Sequence, residues 1–209
     1  TVKKEGELLG RLSVAPPGVH NVYNGLAAVA VGLELKLSFE KIREGLESFS
    51  GVQRRMQKKG EACGIAVVDD YGHHPTEIRA TLAAIKKAWP RRRLVVLFQP
   101  HRYSRTKALF EDFLTCFHQA DLLVMTDIYP ASEQPLPGIT AESLLDAIRK
   151  HGQRHTLYIP SVDRLAEMIQ PHLEDGDLVL TLGAGNIVRA GEELLEKLQE
   201  TEPKVSNAD

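Results

Sequence analysis

Two polar loops hold most of the reactive chemistry of this 209-residue chain. The first, Asp69-Asp70-Tyr71-Gly72-His73-His74-Pro75-Thr76-Glu77, follows the apolar run Ile65-Ala66-Val67-Val68. The second, Gln99-Pro100-His101-Arg102-Tyr103-Ser104-Arg105-Thr106, follows Leu94-Val95-Val96-Leu97-Phe98. Carboxylates, imidazoles and guanidiniums thus gather where the strands of an α/β sheet end and present ligand groups. Such a set suits an anionic substrate together with a nucleotide. Arg102 and Arg105 stand three apart at an expected helix start, where they can fork onto one carboxylate or phosphate. Ion pairing with Glu111 and Asp112 is the plainer alternative.

The other polar side chains of these loops have competing uses. Asp69 and Asp70 end a strand, so their side chains point to opposite faces and at most one meets a given ligand. A carboxylate there can hold a ribose hydroxyl, cap a helix or make a structural ion pair. His74, just before Pro75, is placed to cap a helix, which leaves His73 freer to face the crevice. A zinc site built on His101, Asp70 and Asp127 would lack the HxH or HExxH spacing of metal-binding motifs. Gly183-Ala184-Gly185 gives a GxG between strand and helix, but without the third glycine of a dinucleotide fingerprint it reads as close packing or an anion-facing turn. In His20-Asn21-Val22-Tyr23-Asn24, Asn21 serves as a helix cap or, with Asn24, as a pair of amides able to read a purine edge.

Apolar runs over 64–68, 94–98, 121–126, 156–159 and 178–182 must position these loops. They alternate with helical patterns starting near Pro75 and over 107–119, 141–150, 162–173 and 187–199. Ile78, Leu82 and Ile85 share one helix face, and Leu109, Phe113 and Phe117 recur at helical spacing. Strands apolar throughout require a sheet covered on both faces. The expectation is an α/β domain over 53–209 with a doubly wound, mostly parallel, Rossmann-like sheet. A proline-rich loop lies at 130–138, and the tail after about Glu200 reads as frayed.

Residues 1–52 differ. A strand over 9–14, the turn Pro16-Pro17-Gly18, a helix from about Asn21 to Val31 and a helix over 38–49 are expected. Ser38 would cap the latter, with Ile42, Leu46 and Phe49 facing a core. So few elements cannot bury their own apolar faces, so the segment reads as the tail end of another domain, joined by a linker at 51–59. The chain opens on Thr1 rather than Met and is expected to be a piece of a longer protein. Its 43% apolar and 26% charged residues are ordinary for a soluble globular protein. A net charge of −2 argues against a nucleic-acid binder driven by bulk electrostatics. Arg91-Arg92-Arg93 reads as a solvated charge run before a buried strand. Two distant cysteines, Cys63 and Cys116, fit a reducing cytoplasm, and no run is long enough to cross a membrane.

Taken together, Gly18–Ala28, Phe49-Ser50-Gly51-Val52-Gln53-Arg54-Arg55, the two polar loops, Asp127-Ile128-Tyr129-Pro130-Ala131 and Gly183-Ala184-Gly185-Asn186 resemble the Mur ligases of peptidoglycan synthesis. The resemblance is strongest to those that add L-alanine to UDP-N-acetylmuramate. The related murein-peptide recycling ligases match the first loop and differ in the second. What the resemblance implies is an ATP- and Mg2+-dependent ligase that phosphorylates the lactyl carboxylate and lets the alanine amine attack the acyl phosphate. Residues 1–52 would then be the end of the central ATP-binding domain and 53–209 the amino-acid-binding domain. His20, Asn21 and Asn24 would lie at the adenine, Arg55 at the ATP phosphates and Asp70 on the ribose side. Tyr71, His73, Arg102 and Arg105 would line the alanine pocket, with Arg55 and His73 the catalytic side chains. No GxxxxGK[ST] phosphate loop is present, and the metal ligands would lie mostly outside this chain. Rival expectations are a non-catalytic nucleotide- or carboxylate-binding module and a metal-dependent hydrolase.

Overall fold

A computed structural model describes residues 1–15, 17–49 and 51–201. Pro16 of the expected turn, Ser50 and the tail from residue 202 onward lie outside the described residues. The chain divides into two compact units, Thr1–Gln53 and Arg54–Asp209.

In the first unit, β1 (Val2–Lys4) and β2 (Glu7–Gly10) form an antiparallel hairpin. Its turn residues Glu5 and Gly6 both have positive φ, the geometry that matches the strand twist. The strand expected over 9–14 therefore lies earlier and has a partner. Helix α1 (Val19–Glu34) begins at Gly18 rather than at an Asn21 cap, and α2 (Phe39–Glu47) is capped as expected by Ser38, whose Oγ accepts from Lys41 N at 3.4 Å. Val2, Val29, Phe39 and Ile42 make a small core. Gly32 lets the two helices approach, since a Cβ there would stand 2.7 Å from the Ile42 side chain. Phe49, expected in this core, is 45% exposed because α2 ends before it.

The second unit is built on a six-stranded sheet of order β3-β4-β8-β5-β6-β7. Its strands are β3 (Gln57–Ala62), β4 (Ile65–Asp70), β5 (Leu94–Phe98), β6 (Leu122–Met125), β7 (Thr156–Tyr158) and β8 (Leu178–Leu182). All neighbours pair in parallel except β3, an antiparallel edge strand. Residues 57–59 thus belong to a strand rather than a linker. The polar sequence QKKGEA hides it, and lysines on an edge discourage pairing with other chains.

Helices α3 (Pro75–Ala88), α4 (Tyr103–Ala108), α5 (Phe110–Phe113) and α6 (Ala141–Lys150) follow β4, β5 and β6, while α7 (Leu165–Ile169) and α8 (Val188–Thr201) flank β8. Alternate strand residues serve two cores. Val68, Val96, Phe98 and Leu180 pack with Ile78, Leu82 and Leu145. Val67, Val95, Leu97 and Val179 pack with Leu165, Ile169 and Leu194. The helix expected over 107–119 is instead two short ones followed by turns, and Phe113 and Phe117 both pack on Phe98, with ring centroids 5.9 and 4.9 Å away. Pro171 cuts short the helix expected to reach residue 173, leaving 3-10 turns on either side of α7.

The Arg91–Arg93 run is not merely solvated. Arg93 donates from Nε and Nη2 to the two carboxylate oxygens of buried Asp177, both at 2.8 Å. Arg92 pairs with Glu61 and donates to the carbonyls of Gly64 and Asp177. These bonds clasp the amino end of the sheet. No described helix is long and apolar enough to cross a membrane.

Candidate active site at the carboxyl edge of the sheet

From β4 the chain steps outward to β5, β6 and β7, and β8 then returns into the gap between β4 and β5. The helices after β4 and β5 pack on one face of the sheet and the helix after β8 on the other. The loops at these three strand ends therefore diverge, which opens the crevice where doubly wound sheets bind ligands. Backbone bonds tie the loops together: Gly183 N donates to Asp70 O at 3.1 Å and Gln99 N to Leu182 O at 3.1 Å. Gly183 and Gly185 are needed for this closeness, since Cβ atoms there would stand 2.8 Å from Gln99 O and from Tyr129 Cγ respectively.

Both aspartates point inward. Asp69 is fully buried, paired with Arg54 Nε at 3.1 Å and accepting from Thr181 Oγ1 at 2.7 Å. Arg54, at a left-handed φ of 58°, also donates to Gly183 O at 2.7 Å, so it bridges β4 and β8. Asp70 is 3% exposed and accepts from Met56 N at 2.9 Å, Gly72 N at 2.8 Å and Thr81 Oγ1 at 3.2 Å. Burial pushes its carboxyl above the usual range, against the pull of those donors and of Arg55. Its oxygens hold the loop that presents Tyr71 and His73.

His74 is the cap of α3, its Nδ1 accepting from Thr76 N at 3.2 Å. Glu77 returns to accept from the backbone N–H groups of His73 and His74 at 3.0 and 3.1 Å. Burial works to raise its pKa, but these donors, with His73 and Arg55, hold it below the usual value. His73 is thereby released toward the crevice. Its Nδ1 lies 3.1 Å from Tyr71 O, a pure acceptor, so Nδ1 carries the hydrogen and Nε2 of the neutral ring keeps a lone pair.

A row of rings links the loops. Tyr71 meets His73 edge-on with centroids 5.6 Å apart, His73 lies 5.8 Å from His101, and His101 stacks on Tyr129 at 5.5 Å. Arg55, half exposed, has Cζ 5.6 Å from the Tyr71 ring centroid and Nη1 3.6 Å from Glu77. Arg105 Nη1 lies 3.0 Å from His101 Nδ1. A guanidinium only donates, so His101 is neutral, with its hydrogen on Nε2. Burial, then the charge of Arg105, lowers its pKa. Arg102 caps α4 at a φ of 71°, its N–H donating to Tyr129 O at 2.8 Å and its side chain half exposed. Its ionic partner is Glu133 on the loop after β6, at 3.9 Å, rather than Glu111 or Asp112.

The structure thus brings Arg55, Tyr71, His73, Arg102 and Arg105 along one edge of the second unit. His20, Asn21 and Asn24 belong to the first unit. There His20 is exposed, Asn21 Nδ2 donates to Pro17 O at 2.8 Å, and Asn24 Nδ2 lies 3.4 Å from Asn21 Oδ1. Sequence reasoning placed Arg54, Gln99 and Tyr129 in its motifs without giving them a role, and missed Glu133. The loop after β6 carried the same signal as the other two, polar residues following an apolar strand. Gln99 follows β5, donates to Asn186 Oδ1 at 2.9 Å and leaves Oε1 as a buried polar atom without a partner among the described residues. Among the described residues no three His, Cys, Asp or Glu side chains gather as metal ligands. Asp70 is engaged inside the loop and Asp127 bonds the Tyr158 hydroxyl, so the zinc set imagined with His101 is not assembled.

Guanidiniums and aromatic rings thus share the carboxyl edge of a doubly wound sheet. A protein-family model described as Mur ligase, glutamate ligase domain, matches residues 54–185. The chain belongs to the Mur ligase family. It is 66% identical over 197 residues to the UDP-N-acetylmuramate–L-alanine ligase of Desulfotalea psychrophila, covering 94% of this chain and 43% of that protein. Identity to the same-named protein of Geobacter sulfurreducens is 57%, covering 94% and 42%. Among solved structures, UDP-N-acetylmuramate-alanine ligase from Thermotoga maritima superimposes with a TM-score of 0.81 at 29% identity, over 96% of this chain and 42% of that one. A murein peptide ligase from Psychrobacter arcticus gives 0.69 at 25%, over 90% and 38%. The chain spans 42–43% of the length of the two curated relatives named here.

Proposed function

We propose that this chain is the amino-acid-binding part of an ATP-dependent ligase that joins L-alanine to the lactyl carboxylate of UDP-N-acetylmuramate in peptidoglycan synthesis. The observation that carries this reading is the contact of the Arg105 guanidinium with the ring row Tyr71–His73–His101, on the same loop as the half-exposed Arg102 guanidinium. The 66% identity to a protein of that name supports it.

The guanidiniums suit the two oxygens of the amino-acid carboxylate, Arg102 with most of its donors uncommitted and Arg105 braced by His101. Nε2 of His73 is a basic nitrogen able to take the proton that the ammonium must lose before it attacks. ATP would supply the phosphoryl group that turns the lactyl carboxylate into an acyl phosphate, releasing ADP, and the freed amine would then displace phosphate to form the amide. Arg55, half exposed beside Tyr71, is placed to meet phosphate oxygens. Taken by itself, the first unit offers Asn21 and Asn24 for the adenine edge, with His20 on the same turn.

Mg2+ does not fit Asp69 or Asp70, the carboxylates that end β4. Asp69 and Asp70 are both consumed by internal bonds, so its ligands belong to other parts of the complete enzyme. We place that enzyme in the cytoplasm. The 209-residue chain, without a GxxxxGK[ST] loop, does not catalyse ligation by itself. The test is ADP release by the full-length protein. It is expected only with UDP-N-acetylmuramate and L-alanine together, and not from the isolated chain. Turnover by the isolated chain, or a preference for a preformed peptide over alanine, would overturn the reading, the latter in favour of a recycling ligase.

A further inference from the structure

We propose that Glu133, on the loop after β6, is the positioning residue for Arg102, holding its guanidinium where the amino-acid carboxylate is received. The proposal rests on the carboxylate role given to Arg102 above. Left-handed φ is disfavoured for residues with side chains and persists only where neighbours over-determine it. Three such residues meet here: Arg102 at 71°, Ala131 at 48° and Ser132 at 70°.

Ala131 and Ser132 turn the chain back, with Glu133 N donating to Pro130 O at 3.0 Å, so that the Glu133 side chain reaches the start of α4. There Oε2 accepts from Ser104 N at 2.9 Å and Oε1 from Ser104 Oγ at 2.6 Å. The Arg102 backbone is gripped on both sides. Its N–H donates to Tyr129 O and its carbonyl accepts from Thr106 Oγ1, both at 2.8 Å. The Arg102 side chain approaches Oε1 only to 3.9 Å, inside ion-pair range but beyond a hydrogen bond. Glu133 therefore fixes the loop through Ser104 and steers the guanidinium by charge, leaving the N–H donors for a ligand. A helix-capping role alone would account for Ser104 but not for a carboxylate beside Arg102.

The experiment measures KM for L-alanine and for ATP in the full-length protein. Glu133→Ala is expected to raise the alanine KM about tenfold, with kcat and the ATP KM within about twofold. Glu133→Gln keeps an acceptor for Ser104 but loses the charge that steers the guanidinium, so it should retain most of the rise in alanine KM. Ser104→Ala, a milder change, should raise the alanine KM in the same direction. An unchanged alanine KM in Glu133→Ala, or a wild-type alanine KM in Glu133→Gln, would overturn the proposal. Arg102→Ala in the same assay separates the two levels. If it leaves the alanine KM unchanged, the carboxylate reading itself fails. If it raises the KM while Glu133→Ala does not, only the role of Glu133 is lost.

Discussion

At the scale of single residues, charge state follows from partners. His101 faces a guanidinium with its unprotonated nitrogen, and burial and Arg105 both disfavour its cation. Its folded pKa lies below the unfolded value of about 6.5. The neutral form is therefore favoured by folding, and the stability it contributes is present above that unfolded value and lost as pH falls through the folded pKa. Ring-proton NMR should give His101 a midpoint below that of a free histidine, and Arg105→Ala should raise it. A midpoint at or above the free value would contradict the neutral tautomer. The sequence made Arg102, Arg105 and His73 legible as candidates because charged residues rarely follow an apolar strand without purpose. It could not show that Asp70 faces inward. Alternation along β4 says only that Asp69 and Asp70 oppose each other, whereas the burial of both comes from β8 on one side and the Met56 turn on the other.

Elements were legible wherever apolar periodicity was strong. The central strands, α3 and α6 follow directly from their patterns. β3 escaped because its sequence QKKGEA carries no apolar alternation, and the interruption at Leu109 escaped because the apolar residues on either side of it keep helical spacing. The arginine run before β5 shows what a charge pattern alone omits. Arg93 faces an Asp177 carboxylate whose side chain is 1% exposed, so removing Arg93 leaves a buried charge uncompensated. Arg93→Ala should destabilise the second unit by about 2 kcal/mol in urea unfolding, less than a fully buried pair would cost because Arg93 itself is partly exposed. Arg91→Ala should change stability by less than about 0.5 kcal/mol. Equal effects would return the whole run to the solvent.

At the scale of the molecule, order along the chain is the source of the site. Inserting the last strand, β8, between the first two parallel ones creates the crevice, and three loops distant in sequence supply its groups. The order of strands is not written in any local pattern, so the doubly wound class was legible but the convergence of Glu133 and Tyr129 on the arginine loop was not. The central claim is that this edge takes the carboxylate of an amino acid. It is tested most directly by Arg102→Lys in the full-length protein, which keeps the charge and loses the planar fork. The KM for L-alanine should rise about tenfold while that for ATP stays within about twofold. An unchanged alanine KM, or an equal rise for both substrates, would contradict the account.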